Sequence, residues 1–118
     1  MSQSLLITLD NKHIGIVRNP YERAISLYFE SLNYIGFEKW LDTEPPIPQK
    51  LLYKNCDIIV RFEDWRSEFE SLNLQPEDTS ILESIRIFED WERWLTLRIK
   101  TKLFHLYRHD IETYGYRI

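Results

Sequence analysis

The chain has 118 residues, of which 43% are hydrophobic and 29% charged, and these values predict a single globular domain over residues 1–118. A net charge of −4 argues against a large nucleic-acid-binding surface. The one cysteine, Cys56, excludes an internal disulfide and a cysteine-based metal cluster, and no apolar run is long enough to span a membrane. Since the first residues also lack the features of a secretory signal, we expect a cytoplasmic protein with no bound metal and no nucleic-acid or membrane partner.

The first predicted element is a β-hairpin. Residues 5–9 and 13–17 are two short runs of β-forming residues, and Asp10, Asn11 and Lys12 separate them. Asp and Asn tolerate the left-handed backbone conformation that tight hairpin turns require. We therefore expect two antiparallel strands, the second of which leads directly into Arg18.

A helix is predicted to follow this hairpin. Asn19 suits the N-cap, Pro20 the first helical position, and Glu22 the third, from which its side chain can reach back to the cap. The helix is expected to end near Gly36. Its apolar face has a helical period and consists of Tyr21, Ala24, Ile25, Tyr28, Leu32 and Ile35.

The middle of the chain is predicted to contain a loop, a strand and a helix. Residues 42–49 are rich in proline, which favours a loop. Residues 57–62 have the β-branched composition of a buried strand. Residues 63–72 then fit a helix whose inward face carries Trp65, Phe69 and Leu72.

Residues 80–114 contain neither glycine nor proline, so one long helix or two abutting helices are expected, with Gly115 as the stop. Trp91 and Trp94 are three residues apart, beside Phe88, and predict a core or interface stripe; a platform for a sugar is the alternative. The whole order, β-β-α-loop-β-α-α, predicts an α/β fold that is mostly helical with about three short strands.

The junction between the second strand and the first helix has the chemistry of an anion site. A helix start offers free backbone N–H groups and the positive end of the helix dipole. Arg18 adds a guanidinium suited to phosphate, Arg23 adds a second guanidinium, and Ser26 adds a hydroxyl donor. The alternative interpretation is an ordinary helix start, in which Glu22 and Arg23 form a solvated pair.

The segment VRNPYERAISLY, residues 17–28, resembles the 3′-phosphate-binding element of sulfotransferases that use 3′-phosphoadenosine 5′-phosphosulfate (PAPS). That pattern is an Arg at the end of a strand, an Asn or Asp, a Pro, and a Ser eight residues after the Arg, and Arg18, Asn19, Pro20 and Ser26 match it. Arg23 resembles the branch that acts on carbohydrates and Golgi-type acceptors. The resemblance implies that Arg18 and Ser26 hold the 3′-phosphate of PAPS or of its product PAP, and that Arg23 braces the cofactor-binding loop, to which Asn19 also belongs.

Two further segments resemble the same family and occur in the same order. Residues 56–74 are similar to a later strand and the acidic helix start that follows it, and residues 106–116 are similar to the C-terminal ending of the family. The Gly-rich loop that wraps the 5′-phosphosulfate is not found, because the glycines, Gly15, Gly36 and Gly115, lie outside any such loop. A catalytic base is not found either.

The resemblance therefore implies a small, reduced sulfotransferase-like (P-loop-like) domain that has lost catalysis and serves as a structural or interaction subunit of a larger assembly, such as a virus or phage. Its location would then be the host cytoplasm or the virion. One alternative is a minimal PAPS-dependent sulfotransferase acting on a carbohydrate hydroxyl, and another is a module that binds PAP. The family's central first strand is absent, so we expect either a rearranged sheet or a sheet completed by a protein partner or a second copy.

Metal binding is the remaining question that the sequence raises. His105 and His109 are four residues apart and would share one face of a helix, as two metal ligands do. A third ligand is not evident beyond Asp110 or Glu112, and we therefore predict that the histidines are structural or exposed rather than ligands.

Overall fold

The computed structural model describes residues 4–33, 35–76, 79–85 and 89–116. Within that part of the chain it contains three strands and six α-helices, so the predicted α/β class is confirmed. The strands are β1 (Leu6–Leu9), β2 (Lys12–Val17) and β3 (Ile58–Arg61). The helices are α1 (Pro20–Ser31), α2 (Phe37–Thr43), α3 (Gln49–Leu52), α4 (Trp65–Ser71), α5 (Ser80–Ser84) and α6 (Leu97–Tyr114).

Strand β2 lies at the centre of a mixed sheet in the order β1-β2-β3. It pairs antiparallel with β1 and parallel with β3. The predicted hairpin is confirmed, since β1 and β2 are joined by Asp10 and Asn11 with φ of 50° and 65°, the left-handed conformation of a tight two-residue turn. Among the described residues β2 therefore has a neighbour on each side, and β1 and β3 are the edges of the sheet.

Helix α1 begins as predicted and ends earlier than predicted. The side chain of Asn19 accepts a hydrogen bond from the backbone N–H of Tyr21, and Pro20 is the first helical residue. The helix ends at Ser31, because Leu32 adopts a left-handed conformation with φ of 56°. Gly36 does not end this helix. It immediately precedes α2, which was not predicted.

The later elements follow the predicted order with two corrections. Strand β3 and helix α4 are confirmed, joined by a short 3-10 helix, Phe62–Asp64. The inward face of α4 contains Phe69, whereas Leu72 is 48% exposed and does not belong to it. Helix α3 begins at the last residue of the predicted proline-rich loop.

Of the two alternatives for residues 80–114, one long helix is wrong, and the described part of the segment contains two α-helices that do not abut. This segment forms α5, a 3-10 helix at Trp91–Trp94, and α6. The side chain of Thr96 caps α6 by accepting a hydrogen bond from the N–H of Ile99, and Gly115, with φ of 71°, ends it as predicted. Residues 86–88, including Phe88 of the predicted aromatic stripe, lie outside the described residues.

Two apolar clusters form most of the core. One lies where α1, α2 and α6 meet, and the other where the sheet packs against α4 and α5. Between Ile14 and Ile16, which belong to the second cluster, Gly15 faces Tyr53, and an added Cβ would meet that ring at 2.8 Å. None of the described helices is long and apolar enough to cross a membrane.

Candidate functional site

The candidate site lies where the parallel strands β2 and β3 end. In open α/β sheets, ligands bind outside the carboxyl ends of the strands, and Arg18 directly follows β2 at this edge. The four residues predicted for the site, Arg18, Asn19, Arg23 and Ser26, all lie at this β2–α1 junction. Arg18, Arg23 and Ser26 are buried, with 8%, 2% and 3% exposure, so the junction is part of the interior rather than an open cleft.

Arg18 and Ser26 both bind the same group, and that group is Glu22. Nη2 of Arg18 lies 2.6 Å from Oε1 and 2.7 Å from Oε2 of Glu22. The hydroxyl of Ser26 donates to Oε2 at 3.0 Å. Arg18 and Ser26 therefore face one point, and the group at that point is a carboxylate of helix α1.

The sequence suggested two roles for Glu22, a side chain that reaches back to the helix cap and a solvated partner of Arg23, and the structure shows neither. It is only 4% exposed, so the solvated Glu22–Arg23 pair was wrong. It does not bind the backbone N–H of Asn19 either, because Oε2 of Glu63 accepts that hydrogen bond at 2.8 Å. The capping partner of α1 thus comes from the 3-10 turn after β3, and Glu22 is left to neutralise Arg18.

The backbone of Arg18 is held by Gln49. The side-chain amide of Gln49 accepts from the Arg18 N–H at 2.7 Å and donates to the Arg18 carbonyl at 2.8 Å. This paired arrangement satisfies both backbone groups of Arg18, as a neighbouring strand would. Helix α3 therefore fixes the point at which β2 ends.

Asp110 of α6 in turn holds the start of α3. Its two carboxylate oxygens accept the backbone N–H groups of Gln49 at 2.7 Å and Lys50 at 2.8 Å. Gln49 and Asp110 have no exposed surface. Since a carboxylate at a helix N-terminus binds free N–H groups and favours the dipole, Asp110 explains why α3 begins where the proline-rich segment ends.

These residues form one network with balanced charge. Among the described residues, the polar and charged side chains that are buried are all at this junction: Arg18, Glu22, Arg23, Ser26, Gln49 and Asp110. Two cations and two anions therefore share the interior. Burial lowers the pKa of the Arg23 guanidinium, while nearby Tyr107, Tyr53 and Asp110 oppose that change. Nε of Arg18 is buried and has no acceptor among the described residues.

The C-terminal tail closes the same edge of the sheet. The hydroxyl of Tyr116 donates to Oε1 of Glu63 at 2.6 Å and lies 3.3 Å from the carbonyl of Val17. The guanidinium of Arg61 lies over the Tyr116 ring at 4.6 Å from its centre. The tail thus fixes Glu63, which caps Asn19.

The other candidates lie elsewhere. His105 and His109 are exposed on α6, and no group of three or more His, Cys, Asp or Glu within the described residues is placed to hold a metal ion. Trp94 is 48% exposed and makes an edge contact with Phe29, with ring centres 5.1 Å apart. Trp91 is half-buried against the cluster formed by α1, α2 and α6.

Glu22 was expected only to cap the helix or to pair with Arg23 in solvent, and four other residues of the site were not predicted at all: Gln49, Glu63, Asp110 and Tyr116. Asp110 and Tyr116 lie in a segment that resembles the sulfotransferase ending, but that resemblance assigned them no contact. For Glu22, the spacing of four residues from both Arg18 and Ser26 was the available signal. Gln49 follows three prolines and carries no local signal at all.

No protein-family model, curated protein or solved structure matches this chain at a significant level.

Proposed function

We propose that this protein is a sulfotransferase-like protein without catalytic activity, in which the former 3′-phosphate element is an internal clamp and the chain acts as a structural or interaction subunit. The observation that carries this proposal is the position of Glu22, whose carboxylate takes the hydrogen bonds that Arg18 and Ser26 would give to a phosphate. Nη2 of Arg18 and the hydroxyl of Ser26 are therefore already bound within the protein.

The negative charge of Glu22 also opposes the binding of a phosphate. A phosphate entering the junction would have to displace the buried Glu22 carboxylate or lie beside it, and like charges at such distances cost several kcal/mol. The helix N-terminus offers little compensation, because Asn19 already accepts from Tyr21 and its own N–H is bound by Glu63. The arrangement thus favours a structural use of the motif.

Large apolar side chains are exposed on several elements, but singly exposed apolar residues are common on protein surfaces and do not by themselves mark a contact. The most exposed among the described residues are Leu97, Leu32, Leu51, Leu6 and Ile81. Assignment to a virus or phage assembly, with a location in the host cytoplasm or virion, stays a prediction from the sequence.

Calorimetric titration with PAP tests the proposal. We expect no saturable heat from the folded wild-type protein at ligand concentrations on the order of 1 mM, which corresponds to binding weaker than about −4 kcal/mol. Glu22→Gln is the matched variant, because it preserves the shape of the side chain and removes the competing charge. Gain of PAP binding in Glu22→Gln but not in wild type would identify the carboxylate as the group that closes the site.

A PAP-binding module is the second candidate, and one observation favours it. Nε of Arg18 is buried without an acceptor among the described residues, so this guanidinium has a donor to offer to an incoming oxygen. Saturable PAP binding by the wild type that is lost in both Arg18→Ala and Ser26→Ala would contradict the proposal that Glu22 closes this site. It would establish PAP binding as the function instead.

A further inference from the structure

The outer edge of β1 is open, and its backbone geometry is defined by the hairpin register. The sheet order places β1 at an edge, where it pairs with no strand other than β2 among the described residues. Ile16 donates its N–H to the carbonyl of Leu5 at 2.9 Å, and Leu6 lies opposite Gly15. Because hydrogen-bonded and non-hydrogen-bonded pairs alternate in an antiparallel ladder, the N–H and C=O groups of Leu6 and Thr8 point away from β2.

A groove of about 690 Å³ runs along this edge. One wall is formed by four consecutive residues, 7–10, and the other by Asn73, Gln75 and Pro76 of the loop between α4 and α5. Alternate residues of a strand point to opposite faces, so a groove lined by consecutive residues follows the edge of the strand rather than one face. The outward backbone groups of Thr8 therefore face this groove.

The groove fits one added strand. It is bounded by β1 on one side and by Asn73, Gln75 and Pro76 on the other. Strand β1 has no charged residue and no proline, the devices that usually protect an edge from strand addition. Leu6, on this edge, is 54% exposed.

Charge indicates the chemistry of the occupant. Asp10, at the turn end of β1, is the ionisable side chain among the described residues that line the groove. Antiparallel pairs outnumber parallel ones two- to three-fold in sheets, and an antiparallel segment would place its N-terminal residue near Asp10. A basic side chain at that end would complement the carboxylate.

We propose that this groove binds an extended segment of a partner protein, which adds to the sheet as a fourth strand antiparallel to β1, with a basic residue at its N-terminal end beside Asp10. Main-chain hydrogen bonds to Thr8 and Leu6 would supply affinity, as in other cases of strand addition. The inference rests on the proposed function only in its premise that the chain acts through a protein partner.

The test uses the full chain and a defined probe, the fluorescein-labelled peptide KVTVTV with a blocked N-terminus, measured by fluorescence anisotropy. We expect saturable binding that falls at least tenfold in Thr8→Pro, because proline removes the outward N–H while leaving the bonds between β1 and β2. Thr8→Val preserves the backbone donor and is expected to bind as the wild type does. Thermal unfolding of each variant confirms that it is folded.

A second pair of measurements does not depend on the folding of Thr8→Pro. The same peptide N-methylated at alternate residues, so that the amides facing β1 are blocked, is expected to lose binding. Asp10→Asn is expected to weaken binding several-fold at low salt and less at high salt, and asparagine tolerates the positive φ at this position.

Three results would overturn the inference. They are the absence of saturable binding to the wild type, equal binding of the N-methylated peptide, and a concentration-dependent dimer that Thr8→Pro dissolves, which would assign the edge to a second copy. None of these results bears on Glu22, so they are distinguishable from a failure of the clamp, which the PAP titration detects separately.

Discussion

At the carboxyl end of β2, Nη2 of Arg18 and the hydroxyl of Ser26 bind Glu22 in the interior, whereas at the hairpin end of the same strand the edge of β1 faces a groove of about 690 Å³. Both ends carry polar groups able to bind a ligand. They differ in whether those groups already have partners within the chain.

Desolvation explains this difference. A buried polar group without a partner costs free energy comparable to a lost hydrogen bond, and a buried charge costs more. Most polar and charged groups of an interior junction must therefore find their partners within the chain. Backbone groups at an exposed edge can bind water and therefore need no partner in the chain. We call the buried junction around Arg18 and Glu22 the closed end, and the edge of β1 around Thr8 the open end. We expect substitutions to lower the free energy of unfolding strongly at the closed end and only slightly at the open end.

The largest effect is expected for Glu22→Ala. Removal of this carboxylate leaves the buried Arg18 guanidinium unpaired, and breaking one partner of a buried ion pair typically costs about 3–5 kcal/mol. Urea unfolding measures the change. The double variant Arg18→Ala/Glu22→Ala is expected to recover part of the loss, because it leaves no unpaired charge. A loss below about 1 kcal/mol in the single variant would contradict a closed, charge-balanced junction.

Asp110→Ala is expected to destabilise the fold by about 2–4 kcal/mol, since the backbone N–H groups of Gln49 and Lys50 would lose a charged acceptor. Glu112→Ala is the matched control on the same helix. Glu112 is exposed and pairs with Arg108 at 2.9 Å, so its removal is expected to leave the urea midpoint unchanged. Equal effects of the two substitutions would show that Asp110 does not hold α3.

The next largest effect is expected at alkaline pH, which should lower the free energy of unfolding through the buried tyrosines of the closed end. Burial is the main cause that raises the pKa of Tyr53, Tyr107 and Tyr116 in the folded chain. These hydroxyls stay protonated in the folded state while the unfolded chain ionises from about pH 10, so stability is complete below that pH and falls above it.

The expected slope is about 1.4 kcal/mol per pH unit for each tyrosine that ionises only on unfolding. Urea unfolding at several alkaline pH values measures this slope, and Tyr107→Phe is expected to reduce it by the contribution of one tyrosine. A slope unchanged in Tyr107→Phe would mean that this hydroxyl ionises equally in both states.

The sequence predicted the closed end in part because its signals are local. Asn19 and Pro20 start α1 through contacts within one turn, and the spacing of Arg18 and Ser26 brings them to one point. Gln49 and Asp110 are 31 and 61 residues away from the groups they bind, Arg18 and the start of α3. No local pattern encodes such pairings, because tertiary packing alone brings these residues together.

One long helix over residues 80–114, the alternative that the structure contradicts, was suggested for a different reason. Absence of glycine and proline permits a helix but does not require one. Trp91 and Trp94 are three residues apart, and this spacing suits the three-residue turn of the 3-10 helix that forms there as well as it suits an α-helix. Thr96, whose side chain caps α6, is the local signal for a new helix start in this segment, because threonine is a common N-cap residue.

The smallest effect is expected at the open end and tests the register on which the groove depends. Thr8→Pro is expected to cost about 1 kcal/mol or less, because the N–H of Thr8 points away from β2. Ile7→Pro is expected to cost at least about 2 kcal/mol more, since Ile7 is paired with Ile14, and the alternation that starts from the bond between Ile16 and Leu5 points the N–H of Ile7 toward β2. Thermal or urea unfolding compares the two.

If proline costs the same at both positions, or more at Thr8, the hydrogen-bonded and outward residues have exchanged places, because a shift of one residue reverses every side chain and every amide of a strand. The edge facing the groove would then present Ile7 and Leu9 instead of Thr8, and the added strand would have to be sought in a different register.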